Sequence, residues 1–170
     1  MISGLPMPYK CVISNSSPLM NLAIIGQLDL VQKLFSTITV PQEVWNELTV
    51  AGKGKPGSTA ITQADWIHRV PLGNRTLYTL LNKDLDDGEA AAIALAVEKH
   101  ADLMLLDETD ARNVADIYGI PKTGVIGILT RAQKHHLIQQ IKPLLDALKL
   151  QANFWIQPRL YDAILKKVGE

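Results

Sequence analysis

The sequence predicts an α/β protein built around a mostly parallel sheet. Short apolar runs rich in β-formers recur along the chain, stretches with helically spaced apolar residues separate them, and no internal repeat or domain linker interrupts the alternation. At 170 residues the chain suits one domain, residues 1–170, large enough to bury about two-thirds of its unfolded surface.

Each element has a local reason. Cys11-Val12-Ile13-Ser14 is short, apolar and β-rich, which makes it the first strand. Ser17-Pro18 reads as an N-cap with proline at the first helical position, so Asn15 falls in the strand-to-helix turn. Leu19, Leu22 and Ala23 share a helical face that Gly26 ends, and Leu28, Leu30, Val31 and Leu34 support a second short helix. Residues 36–40 read as the second strand. Pro41 then opens a helix to about Thr49, with Val44, Trp45 and Leu48 buried and Glu47 at the edge of that face. The run Gly52-Lys53-Gly54-Lys55-Pro56-Gly57 breaks the pattern. It is no phosphate loop, because Ser58 follows Gly57 where a lysine is required and a helix precedes it instead of a strand.

Residues 66–70 form the third predicted strand and residues 74–81 a helix. Asp87 is the natural N-cap of the Ala-rich helix that follows, which puts Glu89 in its first turn. Leu103-Met104-Leu105-Leu106 is the fourth strand, Asp107 caps a helix through Tyr118, and Gly119-Ile120-Pro121 stops it. Lys122-Thr123 is a short fifth strand. Helices are expected at about 125–135, 138–150 and 158–168, with Phe154-Trp155-Ile156 an extra strand or packing arm.

Composition narrows the function. Lys plus Arg equals Asp plus Glu at 17 each, so no global positive field marks a nucleic-acid protein, and binding of that kind needs a local patch or a bound metal. Lys53, Lys55, Arg69 and Arg75 are the candidates for a local basic rim. The single Cys11 excludes an internal disulfide and a Cys-rich zinc module, and its apolar neighbours predict a buried thiol. His68, His100, His135 and His136 lack zinc spacing and suit surface or helix-end positions. Trp45, Trp66 and Trp155 sit among apolar neighbours and are expected in the core. The first eight residues lack a basic region with a long apolar core, and no stretch approaches the roughly 18 apolar residues of a membrane span, so the expected location is the cytoplasm. Ser16-Ser17 lacks the glycine-flanked turn of a serine nucleophile.

What remains is a set of acids at element ends. Glu47, Glu89, Asp107 and Asp110 each have a structural explanation as a cap or a solvated helix residue. Asn15 shifts the balance, because an amide carbonyl at a strand tip can bind a hard cation as readily as it caps a turn. In a parallel α/β sheet such turns gather beyond the carboxyl ends of the strands, where ligands bind. An oxygen-rich set without thiolate or imidazole suits Mg²⁺ or Mn²⁺.

Val12-Ile13-Ser14-Asn15-Ser16-Ser17-Pro18-Leu19, Val40-Pro41 with Glu47, Asp87-Gly88-Glu89 with its alanine-rich helix, Leu105-Leu106-Asp107-Glu108-Thr109-Asp110 and Thr123-Gly124 together resemble, in order, a PIN-domain protein of the VapC-like toxin type. The Asn-Ser-Ser-Pro-Leu opening is similar to that of one prokaryotic branch. The resemblance covers about residues 10–150 and implies a three-layer α/β/α sandwich with a mostly parallel sheet. It also implies a metal-dependent endoribonuclease, often a toxin paired with a small antitoxin. Position by position, it places the four family acids at Asn15, Glu47, Glu89 and Asp107, adds Asp110, and gives Ser17 a supporting role. On this reading Asn15, Glu47, Glu89, Asp107 and Asp110 are metal ligands, and the four carboxylates among them are the catalytic residues. Asn15 is a departure, since a neutral amide holds a cation more weakly than a carboxylate.

Two other functions compete. Asn15 and the balanced charge suit a catalytically weak PIN-like binding module, and Asp107 at a strand end suits a phosphoacceptor domain, although that class needs an acidic pair where this chain has Asn15-Ser16-Ser17. Apolar residues on the last helices (Ile126, Leu129, Leu137, Ile138, Leu144, Leu145 and Leu148) are expected to exceed what one core needs and to form a homodimer.

Overall fold

The computed structural model describes residues 9–170, and the amino-terminal segment read above for a leader lies outside the described residues. Five strands, β1 (Val12–Ser14), β2 (Ile38–Pro41), β3 (Ile67–Val70), β4 (Leu103–Leu105) and β5 (Lys122–Thr123), form one sheet in the order β3-β2-β1-β4-β5. Every pairing is parallel. The sheet lies between two layers of helices, so the α/β/α sandwich expected from the sequence is the fold.

Its central strand is β1. β1 lies between β2 and β4, with Ile13 opposite Thr39 on one side and Met104 on the other. Both β1 and β4 are buried on both faces, which is why they read as unbroken apolar runs and not as alternating ones. All connections return to the same edge, so the turns after β1, β2, β4 and β5 gather at one end.

Among the described residues, ten α-helices surround the sheet: α1 (Ser16–Ile24), α2 (Asp29–Phe35), α3 (Gln42–Asn46), α4 (Ser58–Thr62), α5 (Arg75–Leu81), α6 (Asp87–Glu98), α7 (Thr109–Ile117), α8 (Val125–Lys134), α9 (Lys142–Gln151) and α10 (Pro158–Val168). The most enclosed is α6, which packs on β1 and β2 and touches α3, α5 and α7. Gly88 to Ala96 are all buried, and the small alanines let neighbouring backbones approach from every side. α1 and α2 pack with α8, and α1 also meets α9.

Several boundaries differ from expectation. α1 begins at Ser16 with Asn15 as its N-cap, so Pro18 is the third helical residue. The helix after β2 changes at Glu47 into a π-helical turn, Glu47–Ala51, which Gly52 ends. The glycine-rich run leads into α4, a short helix that the sequence reading missed, by way of Gly57 at φ +84°, where a side chain would also strike Ala23. Residues 154–156 form neither helix nor strand, and Trp155 is 77% exposed instead of lying in the core. Trp66 is buried as expected, and Trp45 is half-buried beneath the Arg69 guanidinium, 5.4 Å from its ring centre. Cys11 is half-buried, and burial, followed by the charge of Asp102, pushes its thiol pKa up. All four histidines lie on the surface. Leu129, Leu145 and Leu148 are fully buried and Ile126, Leu137, Ile138 and Leu144 pack against the core, so the fold itself absorbs the apolar faces first assigned to a dimer. Among the described residues, no helix is long and apolar enough to cross a membrane.

Candidate functional site

The site is built from the β1 and β4 turns and the first turn of α6. Asn15 ends β1, and its amide donates to the Leu105 carbonyl at 3.0 Å, which ties it to the neighbouring strand. Its side chain is enclosed, with the residue only 2% exposed. Nδ2 donates to Glu108 Oε2 at 3.2 Å, whereas Oδ1 is buried and accepts no hydrogen bond. A buried carbonyl oxygen without a donor is uncommon, and it leaves Oδ1 free to accept from a water or to bind a cation.

Asp107 repeats the pattern one strand away. It was expected to cap its own helix, but Glu108 occupies the N-cap position of α7. Asp107 instead reaches across to α8, where Oδ1 accepts from the first amide of that helix, Val125, at 2.9 Å. Gly124 makes room for it, since a side chain there would run into the same oxygen. Oδ2 is buried and accepts nothing. Burial raises the carboxyl pKa to about 6, the Val125 amide opposes the shift, and the Glu108 charge adds to it while Arg112 counters it. The Ser17 hydroxyl lowers it slightly, from a position that forms no hydrogen bond of ordinary geometry.

The acids of α6 and of the helix after β2 are better satisfied. The N-cap of α6 is Asp86, one residue before the expected Asp87, and it forms a capping box with Glu89. Asp86 Oδ1 accepts from the Glu89 amide at 2.8 Å, and Glu89 Oε2 accepts from the Asp86 amide at 3.1 Å. Glu47 Oε2 accepts from Ser16 Oγ at 2.6 Å, and its carboxylate lies so close to Gly88 that a side chain there would collide with both oxygens. Burial is the largest cause of the raised pKa at both Glu47 and Glu89. Glu89 also feels Asp86, Glu108 and Glu47, so these acids share one neighbourhood.

The structure thus brings Asn15, Ser17, Glu47, Glu89 and Asp107 to one end of the sheet. Asp110 stands apart: it is exposed on the first turn of α7, and no described residue bonds to it. Glu108 was missed by sequence reasoning, because nothing local reveals that its partner is a residue 93 positions away. The basic rim is also engaged, with Arg75 paired to Glu43 at 2.7 Å and Arg69 over Trp45. Glu43 Oε2 is another buried oxygen without a donor, on the carboxylate that Arg75 already pairs.

Among the described residues, no three acidic, imidazole or thiol side chains form a ready metal cage. The donors left open are a mixed set: the amide oxygen of Asn15, the hydroxyl of Ser17 and one carboxylate oxygen of Asp107. All are hard oxygen ligands, which fit a divalent ion that keeps several waters. A groove of about 770 Å³ lies elsewhere, between α8 and α10, and none of its lining residues is acidic. A smaller one of about 320 Å³ is bounded by Glu43, Glu47 and Asp87, on the acidic side.

A family model for the PIN domain matches residues 11–170. The chain belongs to the PIN-domain family. The match extends through α10, beyond the part of the chain whose motifs carry the resemblance, and it makes this protein a member of a nuclease fold family. No curated protein matches the sequence. In this PIN domain the unpartnered oxygens of Asn15 and Asp107 stand just past the carboxyl ends of β1 and β4.

Proposed function

We propose that this PIN domain is a Mg²⁺- or Mn²⁺-dependent endoribonuclease that hydrolyses RNA phosphodiester bonds. The observation that carries the reading is the pair of buried oxygens without donors, Asn15 Oδ1 and Asp107 Oδ2, at adjoining strand ends. These two atoms and the Ser17 hydroxyl would hold the ion. When bound, it would polarise the phosphate and lower the pKa of a water. Glu89, whose proton affinity burial has raised, lies at the same end of the sheet within the field of Glu108 and Glu47, and is the acid suited to take the proton of the attacking water. Glu47 and Ser16 together fix the rim of the pocket.

The test is cleavage of a labelled single-stranded RNA with Mn²⁺, with Mg²⁺ and with chelator. Cleavage that survives chelation would sink the metal-dependent reading. Failure to cleave RNA while DNA is cut would move the substrate class.

A second reading, a catalytically weak PIN-like binding module, is favoured by the capping box, which commits one oxygen of Glu89 to structure, and by the absence of a three-acid cage among the described residues. It predicts RNA binding without turnover. The VapC-like toxin role, with a small antitoxin as partner, rests on the motif resemblance. Its check is growth arrest on expression, relieved by the product of a small adjacent gene. A homodimer is supported by the exposed Leu150, Trp155 and Leu160, and sedimentation showing monomer at micromolar concentration would exclude it.

A further inference from the structure

Asn15 leaves the pocket one negative charge short of a site with a carboxylate at that position, yet a carboxylate touches it. Glu108 Oε2 lies 3.2 Å from Asn15 Nδ2, across 93 residues of chain. Glu108 occupies the N-cap position of α7 without bonding to that helix, so its carboxylate is not needed there. It follows Asp107 directly in the chain, in the turn after β4.

The contact also decides which way the amide points. A carboxylate accepts only, so it must face the NH₂ group of Asn15, and a flipped amide would set two acceptors against each other. With Nδ2 turned to Glu108, Oδ1 is left as the buried, unpartnered atom.

We propose that Glu108 is a positioning residue for the cation: it turns the Asn15 carbonyl oxygen towards the ion and returns the negative charge that an amide at position 15 lacks. Asn15 and Glu108 then act as one divided ligand, with the oxygen donor on β1 and the charge on the turn after β4. The inference rests on the metal-dependent reading above. It assigns a role to a residue outside the inherited set of acids, through a contact particular to this pair.

The experiment is a double-mutant cycle read by Mn²⁺ titration calorimetry, with RNA cleavage and chelator-treated thermal unfolding in parallel. Glu108→Gln keeps an acceptor for the Asn15 amide but removes the charge, and Glu108→Ala removes both. Both variants should weaken Mn²⁺ binding, by about tenfold for Gln and more for Ala, as is usual for groups that support a metal ligand. Unfolding of the metal-free protein should change little for Glu108→Gln, which keeps an acceptor for the Asn15 amide, whereas Glu108→Ala leaves that buried amide unpaired and should unfold somewhat earlier, so the Gln variant carries the test of charge. In an Asn15→Asp background the charge is already present, and a carboxylate at 108 would face another, so Glu108→Gln should there cost nothing or strengthen binding. Equal losses in both backgrounds would overturn the proposal, as would Glu108→Ala with undiminished affinity. If the unaltered protein binds no Mn²⁺, the metal-dependent reading fails and this inference with it. If it binds and the Glu108 variants bind equally well, only this inference fails.

Discussion

At the edge of α6 each acid has a donor: Glu89 closes a capping box with Asp86, and Glu47 takes the Ser16 hydroxyl at 2.6 Å. At the ends of β1 and β4 the same kinds of atom go without, for Asn15 Oδ1 and Asp107 Oδ2 are buried and accept nothing. Burial raises the proton affinity of all three carboxyl groups, but the hydrogen bonds at Glu47 and Glu89 offset part of that cost, whereas a buried oxygen left without a donor costs folding free energy with nothing to offset it. On the proposed metal-dependent reading, the strand ends hold the ion, and the α6 edge supports them and supplies Glu89 as the base.

The largest effect should come from Asp107→Asn. Cleavage should fall by about a hundredfold or more, since a ligand should cost at least what its supporting groups do. In chelator the same variant should unfold later, gaining about 1–3 kcal/mol at pH 7, because a pKa raised from 3.8 to about 6 reports an ionised form disfavoured in the folded state. A variant that loses both cleavage and stability would make Asp107 a structural cap of α8 and erase the contrast with Glu89.

Acid should act next. A carboxyl group that binds its proton more tightly when folded stabilises the fold in acid, and that contribution is lost as pH rises through about 6. Metal binding runs the other way, because the ion must displace the proton: Mn²⁺ affinity should drop about tenfold between pH 7 and pH 5. Calorimetry at the two pH values checks it, and an unchanged affinity would remove Asp107 from the ligand set.

Smaller changes belong at the α6 edge. Asp86→Ala should cost about 1 kcal/mol of stability through loss of the cap, with Mn²⁺ affinity little altered. Denaturant unfolding and calorimetry separate the two, and a large loss of affinity would show that the edge helps to hold the ion. Ser16→Ala should cost less, about 0.5–1 kcal/mol, and raise the Glu47 pKa further by removing a hydrogen bond that now lowers it. A Glu47 carboxyl titration by NMR would find no change if that bond is absent in solution.

The sheet was legible because burial on both faces writes strands as apolar runs: residues 11–14 and 103–106 were placed within one residue of β1 and β4. Caps were less legible. Asp86 and Asp87 are both good N-caps, and only the reciprocal bond to Glu89 distinguishes them. α4 escaped notice because five residues give too little periodicity after a glycine-rich run, and the π-helical turn at Glu47 changes no residue type that a pattern would register. Within the site, Asn15 and Asp107 could be located as strand ends. The partnership of Asn15 with Glu108 could not, since it depends on two turns meeting in space. Trp155 misled for the opposite reason, because apolar sequence neighbours do not ensure apolar spatial ones.

Asp107 joins two parts of the molecule through one carboxyl group, with Oδ1 on the Val125 amide and Oδ2 buried without a partner. Electron density drawn to one oxygen is withdrawn from the other, so an ion at Oδ2 loosens the bond at Oδ1. On the proposed metal-dependent reading, the Val125 amide is a built-in reporter: its proton chemical shift and its rate of deuterium exchange should change when Mn²⁺ is added.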